Sequence, residues 1–354
     1  MSITQNSIKQ HEISALHELE QMMLAAKENI GESRSELEKS VTNLENCLQQ
    51  IRQKYILDEK QCAMEAFRQQ FESGYTWING FLRNVERFGN REALAEPEIG
   101  KVWTYTQLNA EANRFAHALL RSGLQKGDVV MAQLHNCPEF VFAYLACHKI
   151  GLVFCPVNFR LSAKELSGCM DNSCPKVFLM ESENQENTDM ALEWAEHAPE
   201  IILSTDSQSE HSYEKFADGC PETNPELPWD MYVFDETLRL FTSGTTGRQK
   251  SVCLTSINEV LSAHDVMINF PLSFTDRTMN TTPWFHRGGL HSGGITPTLY
   301  AGGTVVVQRK FQAEQTLDCI EQQGLTFVIG VPNVLELMAE AQQKQPRNLH
   351  SLHG

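Results

Sequence analysis

From residue 13 to about residue 55 the chain is polar except for one stripe, in which Leu16, Met23, Ile30, Leu37, Leu44 and Ile51 recur every seven residues. Val41, Leu48 and Tyr55 fill a second seam, so the spacing from Leu37 to Tyr55 runs 4-3-4-3. That is the pattern of a helix that pairs with another helix. Upstream the second seam carries Glu20, Lys27 and Arg34, and Gly31 costs roughly 1 kcal/mol against Ala in a helix. Residues 1–74 therefore read as a helical arm. Two fates for its stripe stay open: a coiled-coil pairing through residues 1–72, with a second copy or a partner protein, or docking on the chain's own following domain.

Near Ser73-Gly74 the helical texture stops, which sets the expected boundary with a second domain at 75–354. Beyond it the period changes repeatedly. Residues 105–120 predict an amphipathic helix stopped by Gly123, 128–134 a strand, 138–150 a helix with proline at its start, and 152–157 a strand. A helix at 163–170 and a strand at 176–180 follow. Such alternation predicts an α/β fold of mostly parallel sheets flanked by helices. Residues 205–235 are polar and carry Pro221, Pro225 and Pro228, which predicts an exposed connection or insertion.

Composition narrows the classes. With 354 residues and 41% hydrophobic content the chain can bury a sizeable core, and disordered or collagen-like classes drop out. Forty-five acidic against 29 basic side chains give a net charge of −16, which argues against nucleic acid or an anionic membrane surface as partner. Ten cysteines are scattered, and Cys169 and Cys174 lack a second nearby ligand pair, so a zinc ribbon is not expected. These thiols are expected to be reduced and mostly in the core of a cytoplasmic protein. No leader and no apolar run near the ~18 residues of a spanning helix is present, so no membrane-spanning segment is expected.

One stretch carries chemistry. Strand-like residues 238–242 lead into Ser243-Gly244-Thr245-Thr246-Gly247-Arg248-Gln249-Lys250-Ser251, and strand-like residues 252–255 follow. Glycines bring backbone N–H groups close to a phosphate, hydroxyls add donors, and a lysine supplies a point charge. The pattern G-x-x-x-x-G-K-S/T nearly fits, but Gln249 stands where its second glycine is required, and that pattern opens a helix rather than a strand.

The run FTSGTTGRQKSV resembles the phosphate loop of the adenylate-forming (AMP-dependent synthetase/ligase) enzymes, which include acyl-CoA synthetases, peptide-synthetase adenylation domains and luciferases. It departs from that family at Gln249, usually proline, and at Ser251, usually glycine. Upstream, WTYTQLNAEANRFAHAL, LQKGDVVMAQLHNCPEFVFAYLACHKIGLVFCPVNFRLSAKEL and CPKVFLM are similar to the amino-terminal part of acyl-CoA synthetases. Downstream, Thr282-Pro-Trp-Phe-His286-Arg-Gly-Gly resembles the family's aromatic-histidine segment, and Ala301-Gly302-Gly303 and Val331-Pro332 stand where the family places a strand entry and a helix start.

The resemblance covers roughly residues 75–354 and implies the large amino-terminal subdomains of the adenylate-forming fold. It implies ATP-dependent activation of a carboxylate to an acyl-adenylate, with Mg2+, followed by transfer to coenzyme A. Thr242, Ser243, Gly244, Thr245, Thr246, Gly247 and Lys250 would hold the phosphates, with Lys250 acting in catalysis. Trp284, Phe285 and His286 would meet the substrate, His286 also as a catalytic candidate, and Gly288, Gly289, Gly293 and Gly294 would leave room beside it. No direct metal ligand is assignable, although Thr242 or Thr245 could serve through water. Arg160 is expected in a structural ion pair. The family's later segments, with a magnesium-site glutamate, a ribose-binding aspartate and a lysine-bearing small domain, are not found before Gly354, so an amino-terminal fragment is expected. Two alternatives stay open: an adenylation domain that loads a carrier protein, and a non-catalytic interaction protein built on a synthetase remnant.

Overall fold

A computed structural model describes residues 34–242 and 250–354, together with Gln21. The chain divides into two units, Met1–Gln70 and Phe71–Gly354. Helix α1, Arg34–Gly74, runs for 41 residues. Along it Val41 and Leu48 are half-buried, whereas Leu44, Ile51, Met64 and Phe67 are exposed. Leu16, Met23 and Ile30, the expected start of the stripe, lie outside the described residues.

The second unit opens with α2, Trp77–Phe88, whose first turn is capped by the Thr76 hydroxyl. Strands β1, Glu92–Glu96, and β2, Lys101–Thr104, form an antiparallel pair. Helix α3, Tyr105–Arg121, starts at a capping box in which Thr104 and Gln107 satisfy each other's free N–H groups. Then come β3 (Val129–Gln133), α4 (Pro138–Ile150), β4 (Val153–Pro156), α5 (Ala163–Ser173), β5 (Val177–Met180), α6 (Gln185–Trp194), β6 (Ile201–Ser204) and the single turn α7 (Tyr213–Phe216). The rest alternates: β7 (Glu236–Thr242), β8 (Lys250–Thr255), α8 (Ser256–Asn269), β9 (Arg277–Asn280), α9 (Arg287–His291), α10 (Ile295–Ala301), β10 (Thr304–Val306), α11 (Ala313–Gln323), β11 (Phe327–Ile329) and α12 (Pro332–Lys344).

Two sheets result. One has the order β6-β5-β3-β4-β7-β8 and the other β11-β9-β10-β1-β2. Every pairing is parallel except β7 with β8 and β1 with β2, as βαβ connections require. Helix α4 is apolar nearly all round, and every residue of it except Glu139 is buried, the behaviour of a helix covered on all sides. Trp77, Phe81, Tyr105, Phe115, Phe140 and Tyr144 fill one core with β3, β4 and β7. Each large apolar side chain so buried is worth about 1.5–3 kcal/mol.

Three expectations are corrected. Residues 205–235 are not simply an exposed connection. Tyr213 and Val233 are buried, the Val233 amide donates to the Glu72 carbonyl at 2.7 Å, and Trp229 Nε1 donates to the Ile150 carbonyl at 3.2 Å. The prolines stop regular structure without lifting the segment off the core. Second, four of the ten cysteines are buried, namely Cys137, Cys147, Cys155 and Cys169, while Cys47, Cys174 and Cys253 are exposed. The exposed three sit on the arm helix, at a helix end and on the edge strand β8, places that the thiol's apolar character does not govern. Third, Arg160 pairs with no carboxylate among the described residues; its guanidinium lies over the Phe159 ring at 5.3 Å, a cation–π contact in place of an ion pair.

Candidate active site

Strand β7 leaves the core with Leu238 and Leu240 buried and ends at exposed Thr242; β8 returns antiparallel from exposed Lys250, in register opposite Thr242. The Thr242 hydroxyl donates to the Lys250 carbonyl at 3.4 Å. Ser243, Gly244, Thr245, Thr246 and Gly247 lie outside the described residues. At the two strand ends a hydroxyl-bearing residue stands opposite an ammonium-bearing one. A strand follows the turn, so the geometry differs from the strand-loop-helix of the competing G-x-x-x-x-G-K-S/T pattern.

The base of β7 is held by a buried carboxylate that composition and motif reading did not single out. Glu259, on α8, has no exposed surface. One of its oxygens accepts from the Tyr144 hydroxyl at 2.5 Å, the other from the Thr237 hydroxyl at 2.8 Å and from His148 Nε2 at 2.5 Å. His148 Nδ1 faces the Tyr144 carbonyl at 2.8 Å, and a carbonyl only accepts, so Nδ1 carries a proton. Burial raises the Glu259 pKa, but His148, His291 and the hydroxyl donors outweigh it and leave the carboxyl below its ordinary range. Tyr144 also meets the Thr296 hydroxyl at 3.0 Å, so β7, α4, α8 and α10 are tied at one point.

The aromatic-histidine segment leaves β9 through Asn280. That side chain donates to the carbonyls of Gly288 and Ser292, both at 2.9 Å, and accepts from the Thr282 amide. Asn136 accepts from the Trp284 amide at 2.9 Å. Trp284 is a core residue, 1% exposed and edge-on to Phe140. Phe285 is buried against Phe159 and the His286 ring. His286 is exposed at the start of α9, and partial desolvation lowers its pKa, which favours the neutral imidazole. The expected room is present beside Gly288, where a Cβ would meet only Thr282 Cγ2 at 4.0 Å, but is corrected at two other glycines: a Cβ on Gly289 would lie 2.2 Å from the Pro283 carbonyl oxygen, and one on Gly294 1.8 Å from that of Gly289. Backbone fills that space, and these two glycines are required by close approach.

Beside this segment opens a cavity of about 550 Å³ lined by His135, Phe159, Arg160, Thr281, Arg309 and Lys310 among others. His135 stacks on Phe159 at 3.9 Å and donates to Glu181 at 2.6 Å; Arg309 pairs with Glu181 at 2.5 Å and Glu183 at 3.5 Å. His135, Glu181 and Glu183 have the spacing of metal ligands, but Arg309 reaches both carboxylates and offsets one of their two charges, so they form an ion-pair cluster. Arg160 and Lys310 leave the cavity net positive. The signal in the sequence was faint, because His135, Glu181 and Arg309 are brought together from three separate segments.

A family model described as AMP-binding enzyme matches residues 81–353. Among curated proteins, an indoleacetate–CoA ligase of Aromatoleum aromaticum is 32% identical over 278 residues, covering 78% of this chain and 53% of that protein. A feruloyl-CoA synthase of an Amycolatopsis species is 30% identical, covering 73% of this chain and 50% of its own length. The chain thus spans about half the length of the curated relatives it matches. Among solved structures, the amino-terminal domain of FACL13 from Mycobacterium tuberculosis superposes with a TM-score of 0.70 at 24% identity, covering 77% of this chain and 67% of that domain. A fatty acyl CoA synthetase from the same organism gives 0.71 at 22%, covering 79% and 54%. The structural matches establish a shared fold.

Proposed function

The chain belongs to the AMP-binding enzyme family, and on that premise we propose that it forms the ATP-handling part of an acyl-CoA ligase. In the reaction a carboxylate oxygen attacks the α-phosphorus of Mg·ATP, the bond to the bridging oxygen breaks and pyrophosphate leaves. A thiol then displaces AMP from the acyl-adenylate.

Phosphoryl chemistry of this kind rests on positioning and charge stabilisation. Thr242 and Lys250 stand opposite each other where β7 and β8 meet the turn, and Ser243, Gly244, Thr245, Thr246 and Gly247 supply by their chemistry the hydroxyls and amides that a phosphate chain would need. Magnesium bound with the nucleotide would spread the charge that develops on the phosphates, and Thr242 or Thr245 would be the hydroxyls to meet it through water. His286, uncharged at neutral pH, offers the acid a hydrogen bond without a competing positive charge, and Phe285 walls its approach. Arg160 and Lys310, with Phe159 beneath, suit a phosphorylated nucleotide, which favours coenzyme A over a carrier protein as the thiol.

The observation that carries the reading is the pairing of Thr242 with Lys250 at the neck of a Ser/Thr/Gly turn. Exchange of labelled pyrophosphate into ATP tests it: exchange should depend on added carboxylic acid. Acid-independent exchange, or hydrolysis of ATP without it, would count against acid activation.

A further inference from the structure

A second cavity, of about 580 Å³, opens between β2, α3, α4 and α7, and none of its lining residues belongs to the candidate active site. Its chemistry arrives from four elements. Glu111 and Arg114 lie one turn apart on α3, Glu139 and Phe142 one turn apart on α4, Trp103 comes from β2 and Tyr213 from α7. The walls are aromatic: Trp103 stands edge-on to Phe142 at 5.6 Å, and Phe142 stacks on Tyr213 at 6.3 Å.

Two of the three cations that line it are already engaged. Arg114 is taken by Glu111 at 3.3 Å, and the Lys215 ammonium donates to the Ser209 carbonyl at 2.8 Å. That leaves exposed Lys101 against Glu139, Glu214 and Asp218, so the cavity is net negative. Glu139 is half-buried and in no ion pair among the described residues; burial pushes its carboxyl up, which a bond from the Cys137 thiol offsets only in part. A second observation is independent of these charges. Tyr213 is 4% exposed, and its hydroxyl has no hydrogen-bond partner. Burial, and then the charges of Glu111 and Glu139, push its pKa up, so the hydroxyl stays protonated near two carboxylates that it does not reach. A buried hydroxyl left unpaired is destabilising, and native structures keep few of them.

We propose that this cavity is a binding site for a small primary alkylammonium ion. An ammonium carries three N–H donors and no acceptor, so one group supplies both a positive charge for Glu139 and a donor for the Tyr213 oxygen. The alkyl chain lies along Trp103 and Phe142, aromatic rings that also attract a cation. The other ligand classes each fail on one count. An anion meets the repulsion of an excess of carboxylates, a neutral alcohol leaves Glu139 uncompensated, and a quaternary ammonium lacks the N–H that Tyr213 needs. The site stands apart from acid activation and does not depend on it.

The test is a saturation-transfer NMR titration of the full chain with n-butylammonium, and with tetramethylammonium, 1-butanol and butyrate as comparators at one ionic strength. Butylammonium should bind with a Kd on the order of 1 mM, the scale for a ligand of so few atoms. Tetramethylammonium should bind about tenfold more weakly for want of a charge-assisted hydrogen bond, and butanol and butyrate should receive no saturation. Glu139→Gln and Tyr213→Phe keep the shapes of their side chains, so both variants should melt with the parent. Glu139→Gln should weaken butylammonium about tenfold and Tyr213→Phe about fivefold. No transfer to butylammonium, equal affinity for tetramethylammonium, binding of butyrate, or a butylammonium affinity unchanged in either variant would overturn the proposal.

Discussion

Glu96 closes β1 in a crowd of like charge, where burial, then Glu139 and Glu98, push its carboxyl up to about 7. A carboxyl whose pKa is raised by folding contributes stability that is intact below its unfolded value near 4.5 and lost as pH rises through 7. Glu96→Gln removes that loss. Its melting temperature should match the parent at pH 4.5 and exceed it at pH 8, by an amount corresponding to on the order of 3 kcal/mol. Equal melting of both proteins at pH 8 would show that the carboxyl is not perturbed. Glu259 has the opposite sign. Its lowered pKa gives stability that is present above 4.5 and fades as pH falls through the folded value. Glu259→Ala takes the buried partner away from His148 Nε2 and from the Tyr144 and Thr237 hydroxyls together, and chemical denaturation at pH 7 should show a loss of about 3–5 kcal/mol. A loss under 1 kcal/mol would mean that the carboxylate does not tie these elements together.

Local patterning made many elements legible because it records local causes. Helix α4 coincides with residues 138–150 since Pro138 fits its first turn and Gly151, with φ +71°, ends it. Strands β3, β4 and β5 fall within a residue or two of their expected bounds. The β1–β2 pair was not legible: β1 takes its place by pairing with β10, Leu94 against Val305, and no short-range pattern reports a partner two hundred residues away. The arm shows the same limit. Leu44 and Ile51 are 48% and 39% exposed on α1, a stripe whose seven-residue spacing suits a second copy. We expect the intact protein to sediment as a dimer at micromolar concentration, and Leu44→Glu with Leu48→Glu to make it a monomer with unchanged melting of the α/β unit. A monomeric parent would exclude self-association through this stripe.

At the scale of the whole molecule, the family was legible from one turn and its spacing to the segments around it, whereas the organisation of the site was not. Trp284, grouped with Phe285 and His286 by sequence, is buried in the core, and Gly289 and Gly294 serve backbone contact, whereas Gly288 has open space beside it. Glu259 and the His135–Glu181–Arg309 cluster escaped notice because their partners arrive from distant elements and only the fold brings them together. Among the described residues no helix is long and apolar enough to cross a membrane. The central claim is that the turn between β7 and β8 holds the phosphates of ATP. Equilibrium titration of the full chain with Mg·ATP, and with adenosine as the phosphate-free control, tests it most directly in the parent and in Lys250→Ala. Lys250 is exposed and supports no core, so the variant should melt with the parent, bind ATP about tenfold more weakly, a difference of about 1.4 kcal/mol, and bind adenosine equally well. ATP affinity unchanged in Lys250→Ala would contradict the account.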